Sequence, residues 1–185
     1  MTDSQRYDMC GCYRDTGLKT PCIDRLAHRG MRFANAYTTQ PVCQPARAAI
    51  FTGQYPHSCA GWPNSMGISD NVHTIGERLR DEGIHTAYIG KWHLDGGDYF
   101  GTGKCPKGWD ERYWYDMRCY LEELGDDLRR STRRAESMYE RDYLAQDTYA
   151  YRCADRAVDF LEKYHEEDFF LTVSFDEPHD PYICP

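Results

Sequence analysis

Five side chains, Cys43, Arg47, Lys91, His93 and His179, combine types and settings that suit chemistry on a tetrahedral anion. Cys43 lies in Pro41-Val42-Cys43-Gln44-Pro45-Ala46-Arg47-Ala48-Ala49-Ile50-Phe51-Thr52-Gly53. This stretch reads as a loop entering a helix. Pro45 is tolerated in a first turn, where its missing N–H is not needed. Ala46, Ala48, Ala49 and Ile50 carry the helix on, and Gly53 ends it with Pro56 just beyond. Cys43 then sits at the helix N-terminus, with Arg47 one turn later on the same face. Free N–H groups and a guanidinium make an anion pocket, and a cysteine there is placed as a nucleophile toward a sulfate or phosphate centre. The ordinary alternative is a buried thiol at a helix start, one of nine cysteines.

Lys91 and His93 flank Trp92 in Gly90-Lys91-Trp92-His93-Leu94, just after a predicted strand. In an extended chain both point the same way. Converging, they can hold an anionic oxygen and donate a proton to a leaving group. In isolation they also read as an exposed basic pair beside a core tryptophan. His179 follows an apolar run in Asp176-Glu177-Pro178-His179-Asp180-Pro181-Tyr182. It is either a turn histidine between prolines or a third group at a strand's carboxyl end, where sites of open α/β sheets gather.

The spacing Cys-x-Pro-x-Arg followed by Ala-Ala-Ile-Phe-Thr-Gly-Gln-Tyr-Pro-His resembles the sulfatase signature of the alkaline phosphatase superfamily. Gly-Lys-Trp-His after Ala-Tyr-Ile resembles that family's second signature, and Pro-His-Asp-Pro its third segment, in the same order. The resemblance implies that Cys43 is a precursor, oxidised by a separate maturase to formylglycine. The hydrated aldehyde carries two hydroxyls on one carbon. One attacks the sulfur of a sulfate ester, the alcohol leaves, and loss of the second proton re-forms the aldehyde and expels sulfate. A serine would keep a sulfate ester that water releases slowly.

The resemblance also implies that Asp3 ligates a hard divalent cation, Ca²⁺ or another, for which oxygen donors are suited. By itself Asp3 reads as a surface acid. The commonest family pattern has a second acid next. Here Ser4 and Gln5 stand there, so Ser4 or the Gln5 carbonyl oxygen is the expected second ligand, and Cys43, once converted, is expected to reach the metal as well.

The positioning elements are punctuated. Residues 20–30 predict a helix with Thr20 as N-cap, Pro21 first, Gly30 as stop and an apolar stripe of Ile23, Leu26 and Ala27. Residues 31–38 predict a short strand in which Phe33, Asn35 and Tyr37 alternate with Ala34 and Ala36. Residues 58–72 read as a loop. Thr74 and Glu77 form a capping box for a helix ending at Gly83, and residues 85–90 a strand. Residues 96–109 are Gly-rich and irregular. Residues 110–151 are highly charged. Their pairs Arg129-Arg130 and Arg133-Arg134 read as a solvated helical face balanced by Glu122, Glu123, Asp126 and Asp127. Residues 147–164 predict a helix with Tyr151, Ala154, Val158 and Leu161 on one stripe, and residues 168–175 a buried strand.

Helix, glycine, strand is the half-unit of an α/β fold: a mixed, mainly parallel sheet flanked by helices. The resemblance gives this as the alkaline phosphatase-like fold, incomplete. Residues 1–185 are read as an N-terminal portion of the catalytic domain, with the first strand and the later metal ligands missing.

Charged residues make up 28% and hydrophobic ones 41%, the balance of a globular protein. The net charge of −8 disfavours nucleic acid and polyanionic chains as partners. No apolar run reaches membrane-spanning length, which argues against a membrane partner, and residues 1–6 are not a signal peptide. No Cys-x-x-Cys occurs, so a zinc ribbon is disfavoured, and reduced thiols fit a cytoplasmic setting.

The expected function is hydrolysis of a sulfate ester or sulfamate of a small molecule or glycan by the complete protein, with residues 1–185 alone inactive. The alternatives are a phosphonate monoester or phosphodiester hydrolase of the same superfamily, and no enzyme at all, a gene fragment or binding remnant.

Overall fold

The computed structural model describes residues 1–96, 99–132 and 144–182. At its centre β1 (His85–Gly90) pairs in parallel with β2 (Phe169–Ser174), His85 opposite Phe169 and Gly90 opposite Ser174. Further parallel bridges extend this pair on both sides, Thr2 to Phe175 and Ile89 to Tyr115. Met1 and Thr2 therefore occupy a strand position beside β2. Their register is set by the Met1 amino group donating to Val173 O at 2.6 Å and by Phe175 N donating to Met1 O at 3.0 Å. Among the described residues all strand pairing is parallel. Asp3, Lys91 and Asp176 thus all lie just past carboxyl ends of parallel strands.

The helices are α1 (Pro21–Arg29), α2 (Cys43–Thr52), α3 (Pro56–Cys59), α4 (Ile75–Asp81), α5 (Met117–Glu123), α6 (Asp126–Ser131) and α7 (Tyr149–Tyr164). The predicted capping box is present: Glu77 N donates to Thr74 Oγ1 and Thr74 N to Glu77 Oε2. It fixes where α4 starts and so where the chain turns into β1.

Two apolar clusters lie against the sheet. One joins Phe51 of α2 to Tyr88, Trp92, Trp109 and Trp114. The Tyr88 and Trp92 rings meet edge to face at 4.9 Å. Each ring buried this way contributes on the order of 2–3 kcal/mol. This cluster seats α2, and hence Cys43 and Arg47, against the end of β1. The other packs Tyr149, Cys153, Ala157 and Phe160 of α7 on Ala87, Ile89, Tyr113 and Tyr115.

Several expectations are corrected. Residues 31–38 form no strand. Phe33 and Tyr37 are exposed, and no neighbouring strand supplies a ladder there. The apolar stripe of α1 also faces outward, with Leu26 73% exposed. The buried stripe of α7 is Tyr149, Cys153, Ala157 and Phe160, not Tyr151, Ala154, Val158 and Leu161, which are exposed. Both stripes have helical period, and Phe160 wins the core because its larger ring meets His85, Tyr113 and Phe169. β2 is half-buried rather than buried, with only Ser174 fully enclosed. Glu123 does not balance Arg129 or Arg130. It pairs with Arg152 and Arg156 of α7 at 3.0 and 2.5 Å. Arg133 and Arg134 lie outside the described residues.

Candidate active site

The site grows from the ends of these strands. Gly90 ends β1 with φ 114°, a conformation L side chains rarely adopt, and a Cβ there would meet Ser174 O at 2.0 Å. This close crossing turns Lys91 inward, where it is 1% exposed. Its ammonium lies 2.7 Å from Asp3 Oδ2 and 2.9 Å from Asp176 Oδ1, and it donates to Tyr99 OH at 3.0 Å. Tyr99 OH in turn donates to Asp176 Oδ1 at 2.6 Å. A buried ammonium costs several kcal/mol to desolvate, and the two carboxylates offset that cost.

α2 starts at Cys43, as the spacing predicts, and Gly53 closes it in the left-handed region at φ 69°. Gln44 N donates to Asn64 Oδ1 at 3.0 Å, so a loop side chain occupies one of the free N–H groups. Cys43 Sγ donates to Asp3 Oδ1 at 3.8 Å. Arg47 is buried one turn on. Its Nη1 donates to Lys91 O at 2.5 Å and to Ser174 Oγ at 2.9 Å, and its Nη2 to Asp3 Oδ2 at 3.3 Å. Arg47 therefore ties α2 to the ends of β1 and β2 as well as adding positive charge.

Asp3 is the point where Cys43, Arg47 and Lys91 meet. Its burial raises the carboxyl pKa, but hydrogen bonding and charge from Lys91, then charge from Arg47, outweigh that and hold it below the usual value. Burial, followed by the Asp3 charge, pushes the Cys43 thiol up, against the pull of Lys91 and Arg47. A thiol held protonated is a poor nucleophile.

His93 is not in extended chain beside Lys91. Its φ is 59°, so the two side chains are set by a turn rather than by strand alternation. It is buried, and its Nδ1 has no partner among the described residues. Burial, with the charges of Lys91 and Arg47, lowers its pKa to about 4, so at neutral pH it is an uncharged imidazole. His179 stands at the rim with Nδ1 2.8 Å from Asp180 O. A carbonyl only accepts, so Nδ1 carries the proton and Nε2 is left for a ligand. The Tyr99 ring lies between the two histidines, 5.4 Å from His93 and 5.2 Å from His179.

The structure thus brings together Asp3, Cys43, Arg47, Lys91, His93 and His179. Ser4 reaches Asp3, its hydroxyl donating to Oδ1 at 3.3 Å. Gln5 does not join as expected: its Oε1 accepts from Thr2 Oγ1 at 2.8 Å and its Nε2 donates to Cys10 Sγ at 3.5 Å. Two members were not anticipated. Asp176 ends a strand like Lys91, which was a usable signal. Tyr99 is one of fifteen tyrosines, in a Gly-rich loop, and nothing in its local sequence marks it.

A hard divalent cation takes six to eight oxygen ligands. Among the described residues no three His, Cys, Asp or Glu side chains converge as a metal site. Asp3 is already held by two cationic side chains. The described residues do not by themselves fit such an ion. The eight described cysteines are free thiols. Among the described residues no helix is long and apolar enough to cross a membrane.

Residues 1–185 match the family model described as Sulfatase. The uncharacterized sulfatase YidJ of Escherichia coli strain K12 is 46% identical over 191 residues, which is 100% of this chain and 38% of that protein. The chain therefore spans well under half the length of that relative. Two solved structures share the fold. A protein in complex with its substrate D-glucosamine-2-N,6-O-disulfate aligns with TM-score 0.70 at 24% identity, over 99% of this chain and 34% of the other. The phosphonate monoester hydrolase of Agrobacterium radiobacter aligns with TM-score 0.75 at 21% identity, over 100% and 41%.

Proposed function

The chain belongs to the sulfatase family, and from that premise we propose that the whole protein hydrolyses a sulfate ester or sulfamate of a small molecule or glycan. The observation that carries this reading is the meeting of Cys43, Arg47 and Lys91 on one carboxylate, Asp3, at the carboxyl ends of parallel strands. In this reading a maturase converts Cys43 to formylglycine, whose hydrate supplies one hydroxyl to attack sulfur and a second to release sulfate.

The chain's own residues have distinct tasks. Lys91 and Arg47 set positive charge beside position 43 for the ester's anionic oxygens. His93, uncharged at neutral pH, offers a hydrogen bond rather than a cation. His179, with Nε2 available, is the candidate to contact the leaving oxygen, and it passes a proton there only when Nε2 carries one as well as Nδ1. Asp3 and Ser4 are assigned to a divalent cation, calcium by its preference for oxygen, with further ligands outside the described residues. On that assignment residues 1–185 alone are inactive.

The test is made on full-length protein from its own host. The expected outcome is aryl sulfate turnover, together with a position-43 peptide that has lost sulfur and gained oxygen. An unmodified thiol in active protein overturns the mechanism. Because the fold is shared with a phosphonate monoester hydrolase, sulfate and phosphonate esters of one alcohol are compared. Faster phosphonate turnover overturns the substrate class.

A further inference from the structure

The cations of the site are already engaged. An ammonium has three donors, and Lys91 directs them at Asp3 Oδ2, Asp176 Oδ1 and Tyr99 OH. Arg47 serves Lys91 O and Ser174 Oγ through Nη1, and Asp3 Oδ2 through Nη2. Both therefore act on an incoming anion chiefly through charge, and hydrogen bonds to its oxygens need another donor.

Asn64 supplies one. Its Oδ1 accepts from Gln44 N at 3.0 Å, directly after position 43. A backbone N–H only donates, so this contact fixes which end of the amide is oxygen. The Nδ2 end has no partner among the described residues, and the residue is exposed. Asn64 also borders His93. After burial and the charges of Lys91 and Arg47, a hydrogen bond with the Asn64 backbone is the next influence on that ring. His93 is itself only 5% exposed, with Nδ1 unpartnered among the described residues. Two unfilled hydrogen-bonding atoms, Asn64 Nδ2 and His93 Nδ1, thus belong to neighbouring residues at the start of α2.

The loop that carries Asn64 is pinned on three sides. Trp62 O accepts from Gln40 Nε2 at 3.1 Å, and Ile68 N donates to Leu94 O at 3.2 Å. A Cβ on Gly61 would meet the Ala48 Cβ of α2 at 2.8 Å. A donor presented by a fixed loop loses little freedom on binding.

We propose that Asn64 is a binding residue for the reaction, its Nδ2 donating to a non-bridging oxygen of the sulfate group while its Oδ1 holds the start of α2. The proposal rests on the sulfatase reading and adds to it a group that touches the anion.

The test uses full-length protein, with 4-nitrophenyl sulfate as substrate and inorganic sulfate as inhibitor. Asn64→Asp keeps an oxygen for Gln44 N but has no donor, and Asn64→Ala has neither. If the side chain served only the helix, Asn64→Asp would match the parent. If only charge mattered at this position, Asn64→Ala would. Both variants are instead expected to raise KM and the sulfate inhibition constant about tenfold, with kcat changed less and the Asn64→Asp melting temperature close to the parent's. Neither constant depends on how much of position 43 has been converted. The rise in melting temperature on adding sulfate reads the same affinity without turnover, and it is expected to shrink in both variants. Parental sulfate affinity in either variant overturns this inference and leaves the sulfatase reading standing. No turnover of the ester by the parent overturns both.

Discussion

The Lys91 ammonium lies 2.7 Å from Asp3 Oδ2, although 88 positions separate the two residues in the chain (91 − 3). Lys91 is held at the end of β1 by the crossing of Gly90 over Ser174. Asp3 is held by the pairing of Met1 and Thr2 with the end of β2. The ion pair therefore reports the alignment of the strand ends on which the site is built.

Removing the Lys91 charge while keeping its stem, by Lys91→Met, leaves Asp176 without its cation and Asp3 with Arg47 alone. The expected loss is about 3 kcal/mol, as for other broken buried pairs. Urea unfolding measures it. Adding Asp176→Asn is expected to recover part of the loss, because the stranded charge is gone. A single variant as stable as the parent would show that the pair carries no stability.

His93 predicts a pH dependence. A histidine whose folded pKa lies below its unfolded one stabilises the fold while uncharged. With 6.5 as the ordinary value and about 4 in the folded chain, its contribution is complete above pH 6.5 and is lost as pH falls from 6.5 through about 4. His93→Gln is expected to flatten the stability curve over that interval relative to the parent. Thermal melts at matched ionic strength from pH 4 to pH 7 check this, and parallel curves for the two proteins would count against it.

Gly90→Ala is expected to destabilise the chain by on the order of 3 kcal/mol, since φ 114° is strained for alanine and the added Cβ meets Ser174 O at 2.0 Å. The shift should also move Lys91, so Tyr99 fluorescence or ring NMR signals are expected to change with it. An alanine variant with the parent's melting point would mean that β1 and β2 can separate there without cost.

Much of the site was legible because its signals are local. Cys43, Pro45, Arg47 and Gly53 share ten-odd residues, and helix geometry alone sets Cys43 and Arg47 one turn apart. The capping box at Thr74 and the bounds of β1 depend on side chains within a few positions of each other. Local signals failed where two answers have the same period. The stripe Tyr151–Ala154–Val158–Leu161 and the stripe Tyr149–Cys153–Ala157–Phe160 are equally helical, and only the rings that Phe160 meets, Tyr113 in a turn and Phe169 on β2, decide between them.

From sequence alone came the candidate site residues, the order of the three motifs and the helix that starts at Cys43. The helix is a property of neighbouring residues, and backbone sterics settle it. The tertiary structure decided which carboxylates answer Lys91, that Gln5 turns to Cys10, that His93 sits uncharged in a buried turn, and that Tyr99 joins Lys91 to Asp176. Each of these depends on burial and on charges brought close from distant parts of the chain, and neither quantity exists until the strands have paired.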